Sequence, residues 1–284
     1  MGSLPDPFQF DFFRNALIAS LIIGPLCGLL GVYIVLRGMS YIGHGLAHAV
    51  FGGAAVAYVV KADLNLWAGA WGFCTAILIN FIVRRYKIGA DAAIGVITTS
   101  SYAIGVAVMS LQQRFTLSLE GYLFGSILGI TQADIVRMVI VGALVGIIIF
   151  MLYKQLLFTT FDQETAHVYG IHTGRIDNLF SLALAATIVI SVEMIGATLI
   201  AAAIVIPPIT ARLLTQRFDR MIIYSMIFGA VTAIGGIWFS FYLNTASGAT
   251  IVLVQAVIFV IALVVNALSK RNTLALAGIH DHHI

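Results

Sequence analysis

Asn15–Leu36 reads NALIASLIIGPLCGLLGVYIVL and holds no charged residue. That is the length of apolar chain a helix needs to cross a hydrocarbon core of about 30 Å. Similar runs recur to the end of the chain. With 15–36 as the first, the candidate spans are 41–60, 65–83, 91–111, 134–153, 177–193, 195–213, 221–243 and 248–268. The span at 91–111 is polar at its centre (Thr98, Thr99, Ser100, Ser101), and the span at 177–193 is short. Composition agrees: 61% of the 284 residues are hydrophobic and 10% are charged, against roughly 45–50% and about 25% in soluble domains. This excludes a soluble enzyme, a disordered chain and a nucleic-acid binder. The basic residues lie in short clusters between apolar runs and form no phosphate-binding stripe. Alternating strands of about ten residues, the signature of a membrane barrel, are absent. The fold class is all-α: one polytopic membrane domain over residues 1–284, with eight or nine transmembrane helices.

Charge sets the expected orientation. With the loop after the first span in the cytoplasm, that side holds Arg37, Arg84, Arg85, Lys87, Lys154, Arg175, Arg212, Arg217, Arg220, Lys270 and Arg271. The outside holds Arg14, Lys61, Arg114 and Arg137. The positive-inside rule then places the N-terminus outside and the C-terminus in the cytoplasm. Met1–Phe13 has no basic n-region, so no cleavable signal peptide is expected there.

One apolar stretch is too short to span. Leu117–Ile130 (LSLEGYLFGSILGI) reads as a re-entrant or interfacial helix. Its Gly121, Gly125 and Gly129 recur every four residues, which on one helix makes a smooth face for close packing. Cys27 and Cys74 both lie in apolar runs and read as buried small hydrophobes, with neither a disulfide nor a metal pair implied.

Ionisable groups inside apolar spans are costly and mark pathways. In SYIGHGLAHAVFGG, His44 and His48 stand four apart and share one helix face about 6 Å apart. Imidazoles at that spacing hold transition metals. The flanking Gly43, Gly45, Ala47, Gly52 and Gly53 leave room for backbone or solvent. The plainer alternative is a hydrogen-bonded packing pair. Two ligands do not close a metal site, but a second copy of the chain across a two-fold axis would make four. Glu193 is a further candidate ligand, or an acid that simply reaches the interface. Pro207 and Pro208 should kink the span that follows.

The longest loop on the cytoplasmic side is Lys154–Arg175, with FDQETAHVYGIHTGR at its heart. Asp162–Tyr169 can form a short polar helix ended by Gly170, either as a docking element or as a solvated connector. His167 and His172 lie in this aqueous loop. His280, Asp281, His282 and His283 near the end could bind metal weakly. No phosphate-cradling G-x-x-x-x-G-K-[ST], G-x-S-x-G or H-E-x-x-H motif occurs.

Five stretches in order, VLRGMSYIGHGLAHAVFGG, GYLFGSILGIT, FDQETAHVYGI, GATLIAAAIVIPPITARLL and SGATIVLV, resemble the permease subunit of the metal-ion ABC importers, the zinc and manganese group. The likeness covers nearly the whole chain. It implies a type II importer-like fold, a pore made by two permease chains, two separate ATP-binding cassette subunits beneath and an extracytoplasmic metal-binding protein above. It also implies a prokaryotic cell membrane, no resident cofactor, and no enzyme activity in this chain, since ATP is hydrolysed on the partner. By that resemblance about 160–171 is the coupling helix, with Asp162, Glu164, His167 and Gly170 facing the ATPase. Many members carry Asp-x-x-x-His in the pathway. Here His44 and His48 hold those positions. Imidazole suits zinc and carboxylate suits manganese, so the transported ion expected is Zn2+ ahead of Mn2+. The rival reading is a metal channel or secondary carrier without an ATPase.

Overall fold

The computed structural model describes residues 6–86, 88–111 and 118–280, with side chains at 6–86, 88–111 and 121–269. Twelve α-helices occur among them: α1 Asp11–Leu36, α2 Tyr41–Val60, α3 Leu64–Tyr86, α4 Ala90–Ser110, α5 Ser118–Phe124, α6 Gln132–Met151, α7 Tyr153–Phe161, α8 Gln163–Val168, α9 Thr173–Ile195, α10 Ile200–Leu214, α11 Phe218–Leu243 and α12 Ser247–His280. There is no strand among the described residues. Eight helices are long and apolar enough to cross a membrane, and α10 is a shorter ninth apolar helix.

The helices sort by what surrounds them. Without a hydrophobic effect between helices in lipid, small side chains and polar bonds decide which of them meet. α1, α2, α9 and α10 are central. In α2, 72% of the most apolar stretch is buried, against 17% in α12. The outer helices turn large apolar residues outward: Leu253, Val257, Val260 and Val264 on α12, Ile140, Leu144 and Ile147 on α6. Cys27 is buried on α1, but Cys74 lies on the exposed face of α3, and both are free. The burial expected for Cys74 is therefore corrected: an apolar run in a membrane helix has a lipid side as well as a protein side.

One further expectation changes. Leu117–Ile130 is not one helix. α5 stops at Phe124, Gly125 takes φ +79°, and a 3-10 turn covers Ile127–Gly129. Gly121, Gly125 and Gly129 therefore form no common helix face. Pro207 and Pro208 lie within a continuous α10. Proline at 208 has no N–H for the Ile204 carbonyl. That carbonyl faces Gly31 of α1, where a Cβ would stand 2.0 Å from it, so the freed group is covered by protein.

The ends of the helices segregate. At one end, Arg37 and Arg84 meet Asp177, and Tyr153 donates to Asp219 at 2.7 Å. The Arg84 and Arg212–Arg220 clusters therefore share an end, as the charge pattern predicts. Lys87, Arg114 and the Lys270–Arg271 side chains lie outside the described residues, as do the side chains of the histidine-rich end at 280–283.

Candidate functional site

His44 lies one turn into α2 and His48 one turn further. Their Nε2 atoms are 2.9 Å apart, and the rings meet edge-on with centroids 4.3 Å apart. Both are half-buried. Two ring nitrogens at that distance share one proton, one donating to the other. A metal ion about 2.0–2.1 Å from each nitrogen would take the place of that proton with an N–metal–N angle of about 90°. Tyr41 flanks His44 at 5.4 Å and Tyr102 of α4 flanks His48 at 4.9 Å between ring centroids.

Small residues set this geometry. A Cβ on Gly52 would lie 2.5 Å from the Ser101 carbonyl, and one on Gly105 would lie 2.7 Å from Gly52 Cα. Only glycine lets α2 and α4 approach so closely, and the approach brings Tyr102 against the histidines. Among the described residues no group of three His, Cys, Asp or Glu side chains could hold a metal ion. The His44–His48 pair has no third such neighbour among them.

Glu193 is placed elsewhere. It sits near the far end of α9, where Asn65 Nδ2 donates to its Oε1 at 3.2 Å. With Asp63, Asn65, Asp134 and Arg137 it lines a cavity of about 440 Å³ between α3, α6 and α9. Asp134 serves Arg137 and the Thr131 capping box that starts α6.

The loop expected to dock a partner is helical, as its sequence predicts. Asp162 caps α8, accepting from the Thr165 N–H at 2.9 Å and from the Thr165 hydroxyl at 2.5 Å. Those two bonds hold its carboxyl below the usual carboxylate range. Gly170 closes the helix in a left-handed conformation, φ +78°, and the Ile171 N–H returns to the Ala166 carbonyl at 3.0 Å. Ala166 is buried, while Glu164, His167, Val168 and Tyr169 are exposed.

Sequence reasoning missed the polar cluster beside α8. Arg37 Nη1 donates to Asp177 Oδ1 at 2.9 Å, and Arg84 Nη2 donates to Asp177 Oδ2 at 2.5 Å. Arg37 also donates from Nη2 to Thr159 and from Nε to Thr160, at 2.8 and 3.1 Å. Its one sequence signal is an arginine and an aspartate directly at the ends of apolar spans.

Eight helices long and apolar enough to cross a membrane, with a half-buried histidine pair on a central one, make the architecture of a membrane transport protein. The chain belongs to the ABC 3 transport family, whose model matches residues 9–266, and it is a transmembrane permease subunit of the metal-ion importer kind. It is similar to the manganese transport system membrane protein MntC of Listeria monocytogenes, 34% identical over 89% of this chain and 90% of that one. It is also similar to the chelated iron transport system membrane protein YfeC of Yersinia pestis, 33% identical over 90% of this chain and 87% of that one. A solved structure, PsaBC from Streptococcus pneumoniae in complex with Fab, superposes with a TM-score of 0.80 at 32% identity, covering 90% of this chain and 92% of that one. ATP hydrolysis in such a system resides on another subunit, and this chain is no enzyme.

Proposed function

We propose that two copies of this chain form the pore of an ATP-driven importer of divalent transition-metal ions, with His44 and His48 of each copy as pathway ligands. The observation that carries this reading is the 2.9 Å approach of the two Nε2 atoms on a half-buried face of α2. Across a two-fold axis the same face of a second chain would supply the missing ligands. The end bearing Arg37, Arg84 and α8 faces the cytoplasm in this reading, where Asp162, Glu164, His167 and Gly170 meet an ATP-binding cassette subunit. The opposite end receives an extracytoplasmic metal-binding protein in a prokaryotic cell membrane. Glu193 then belongs to an acidic entrance on the outer side.

The donors support zinc, because four neutral imidazoles suit it better than manganese. Manganese is the second reading, supported by relatives named for it in Listeria and Synechocystis. The deciding experiment reconstitutes the permease with its ATPase in vesicles and measures ATP hydrolysis and uptake for each of zinc, manganese and ferrous iron. His44→Asn with His48→Gln should abolish uptake at normal expression, because an amide pair replaces neither the ligand strength nor the hydration shell. Wild-type uptake by that double variant would return the pair to a packing role. Acidification should slow uptake, since a protonated imidazole cannot ligate.

A further inference from the structure

The polar cluster at the inner end of α9 gathers Arg37 after α1, Arg84 of α3, Thr159 and Thr160 of α7, Gln163 of α8 and Asp177 of α9. We infer that Arg37 and Asp177 are positioning residues for transport, carrying the displacement of α8 to the His44–His48 pair through the turn between α1 and α2. This rests on the import reading above and adds to it a defined route.

The route is short and continuous. Thr159 and Thr160 lie in the last turn of α7, immediately before the Asp162 cap of α8. Both hydroxyls donate to the Leu156 carbonyl, at 3.2 and 2.6 Å. Their lone pairs are thus left to accept from Arg37, and the direction of those bonds is fixed. Gln163, the first residue of α8, also reaches Asp177 Oδ2 with its Nε2, at 3.5 Å. The Arg37 guanidinium also lies 4.9 Å over the Phe180 ring, a further contact at the same group. Any shift of α7 and α8 is therefore felt at Arg37.

From Arg37 the path is backbone. Its N–H returns to the Tyr33 carbonyl at 3.0 Å, closing α1. The Met39 N–H bonds Ile34 and the Ile42 N–H bonds Met39, each at 3.0 Å. These bonds hold the turn, α2 begins at Tyr41, and His44 follows within the first turn. A packed network leading into a rigid helix is the kind of element that transmits a discrete change.

Fold stability alone is a poor reason for this cluster. Apolar side chains of similar volume hold a core as well as a buried ion pair does. Two guanidiniums on one carboxylate also leave one positive charge over. A cavity of about 550 Å³, lined by Ile42, Asn80, Ile94, Thr173 and Ser181 among others, adjoins both arginines and leaves room for them to change partners.

The test uses the permease assembled with its ATP-binding cassette subunits in vesicles. Imported manganese or zinc and hydrolysed ATP are counted in the same sample. Arg37→Lys keeps the charge but cannot reach three acceptors. Thr159→Val with Thr160→Val leaves every charge in place and removes two acceptors. Both should assemble and hydrolyse ATP near the wild-type basal rate. Ions imported per ATP should fall about tenfold, inside the range of about 5–150-fold typical of coupling between sites. Arg84→Gln, which loses a half-exposed bond and leaves α7 tied to Arg37, should cost less than about fivefold. An unchanged ratio in both Arg37→Lys and the threonine pair would show that the bonds only hold the fold. If Arg37→Lys does not assemble, the threonine pair decides alone. A wild-type complex that imports no metal ends the import reading and this inference together. Uptake that depends on the histidines but ignores Arg37 and the threonines ends only this one.

Discussion

The two ends of α9 are held by different means. At the inner end, side chains do the holding: Asp177 takes Arg37 and Arg84, and Arg37 takes two threonines. At the outer end, backbone meets backbone. The Ser126 N–H donates to the Glu193 carbonyl at 2.9 Å and the Ala197 N–H to the Tyr122 carbonyl at 3.0 Å, with the Ser247 hydroxyl adding one side-chain bond to the Met194 carbonyl at 2.7 Å. Side-chain bonds to charged groups can break and reform with different partners. A junction of interlocked backbone has no alternative arrangement of similar energy. The Asp177 end can rearrange and the Glu193 end cannot, which fits the import reading proposed above.

Gly248 and Gly196 give the sharpest way to break the outer junction. A Cβ on Gly248 would stand 1.8 Å from the Ile195 carbonyl oxygen, and one on Gly196 would stand 2.4 Å from the Leu123 carbonyl oxygen at a φ of +87°. Neither neighbour is a side chain that can swing aside. Gly248→Ala should cost more than about 4 kcal/mol, the range of severe core overpacking and strain. The expected result is almost no folded permease after detergent extraction. A normal yield and an unchanged melting temperature would mean that the outer junction is looser than its geometry.

The inner end should tolerate more. Asp177→Asn leaves the Arg37 guanidinium, 7% exposed, without its anion. Removing one partner of a buried pair costs about 3 kcal/mol at the low end of the usual range, and the partial exposure of Asp177 and Arg84 keeps it there. The variant should insert and fold with a lowered melting temperature. Ser247→Ala sharpens the contrast from the other side. It removes one side-chain bond at the outer junction and should cost only about 1 kcal/mol, because backbone contacts there do most of the holding. Folded yield for Gly248→Ala, with thermal unfolding of Asp177→Asn and Ser247→Ala in one detergent, gives the order.

Much of this was legible in the sequence, and the reasons are physical. Spans show in sequence because each must be apolar along its whole length, so α1, α6 and α12 could be read from single stretches. The histidine pair was legible because four residues on one helix settle its geometry. The Arg37–Asp177 pair was not, because 140 residues separate its members and only packing brings them together. The glycines of Leu117–Ile130 misled because four-residue spacing presumes a continuous helix. Here Gly125 serves to leave the helix, and the backbone it frees pairs with the break between α9 and α10. Glu193 stood out as an acid in an apolar run, but its partner Asn65 lies on a different helix and leaves no local trace.

The smallest expected effect concerns the α8 cap and separates two sources of acid sensitivity. Asp162 is fully exposed, and its carboxyl sits below the usual range because the Thr165 hydroxyl and N–H donate to it. A folded-state pKa below the unfolded value, about 3.9, means that the cap contributes fully above that value. Its contribution is lost only as pH falls through the lower, folded value. Amide exchange at Thr165 and Ala166 should therefore be insensitive to pH, after correction for the intrinsic rate, from about pH 8 to 5, and should rise below about pH 4. Asp162→Asn, which still offers a capping oxygen, should flatten that rise. Uptake lost through protonation of the ligand imidazoles should leave the cap intact, so the two acid responses separate in amide exchange. If α8 frays together with the loss of uptake, acid acts through α8 and not through His44 and His48.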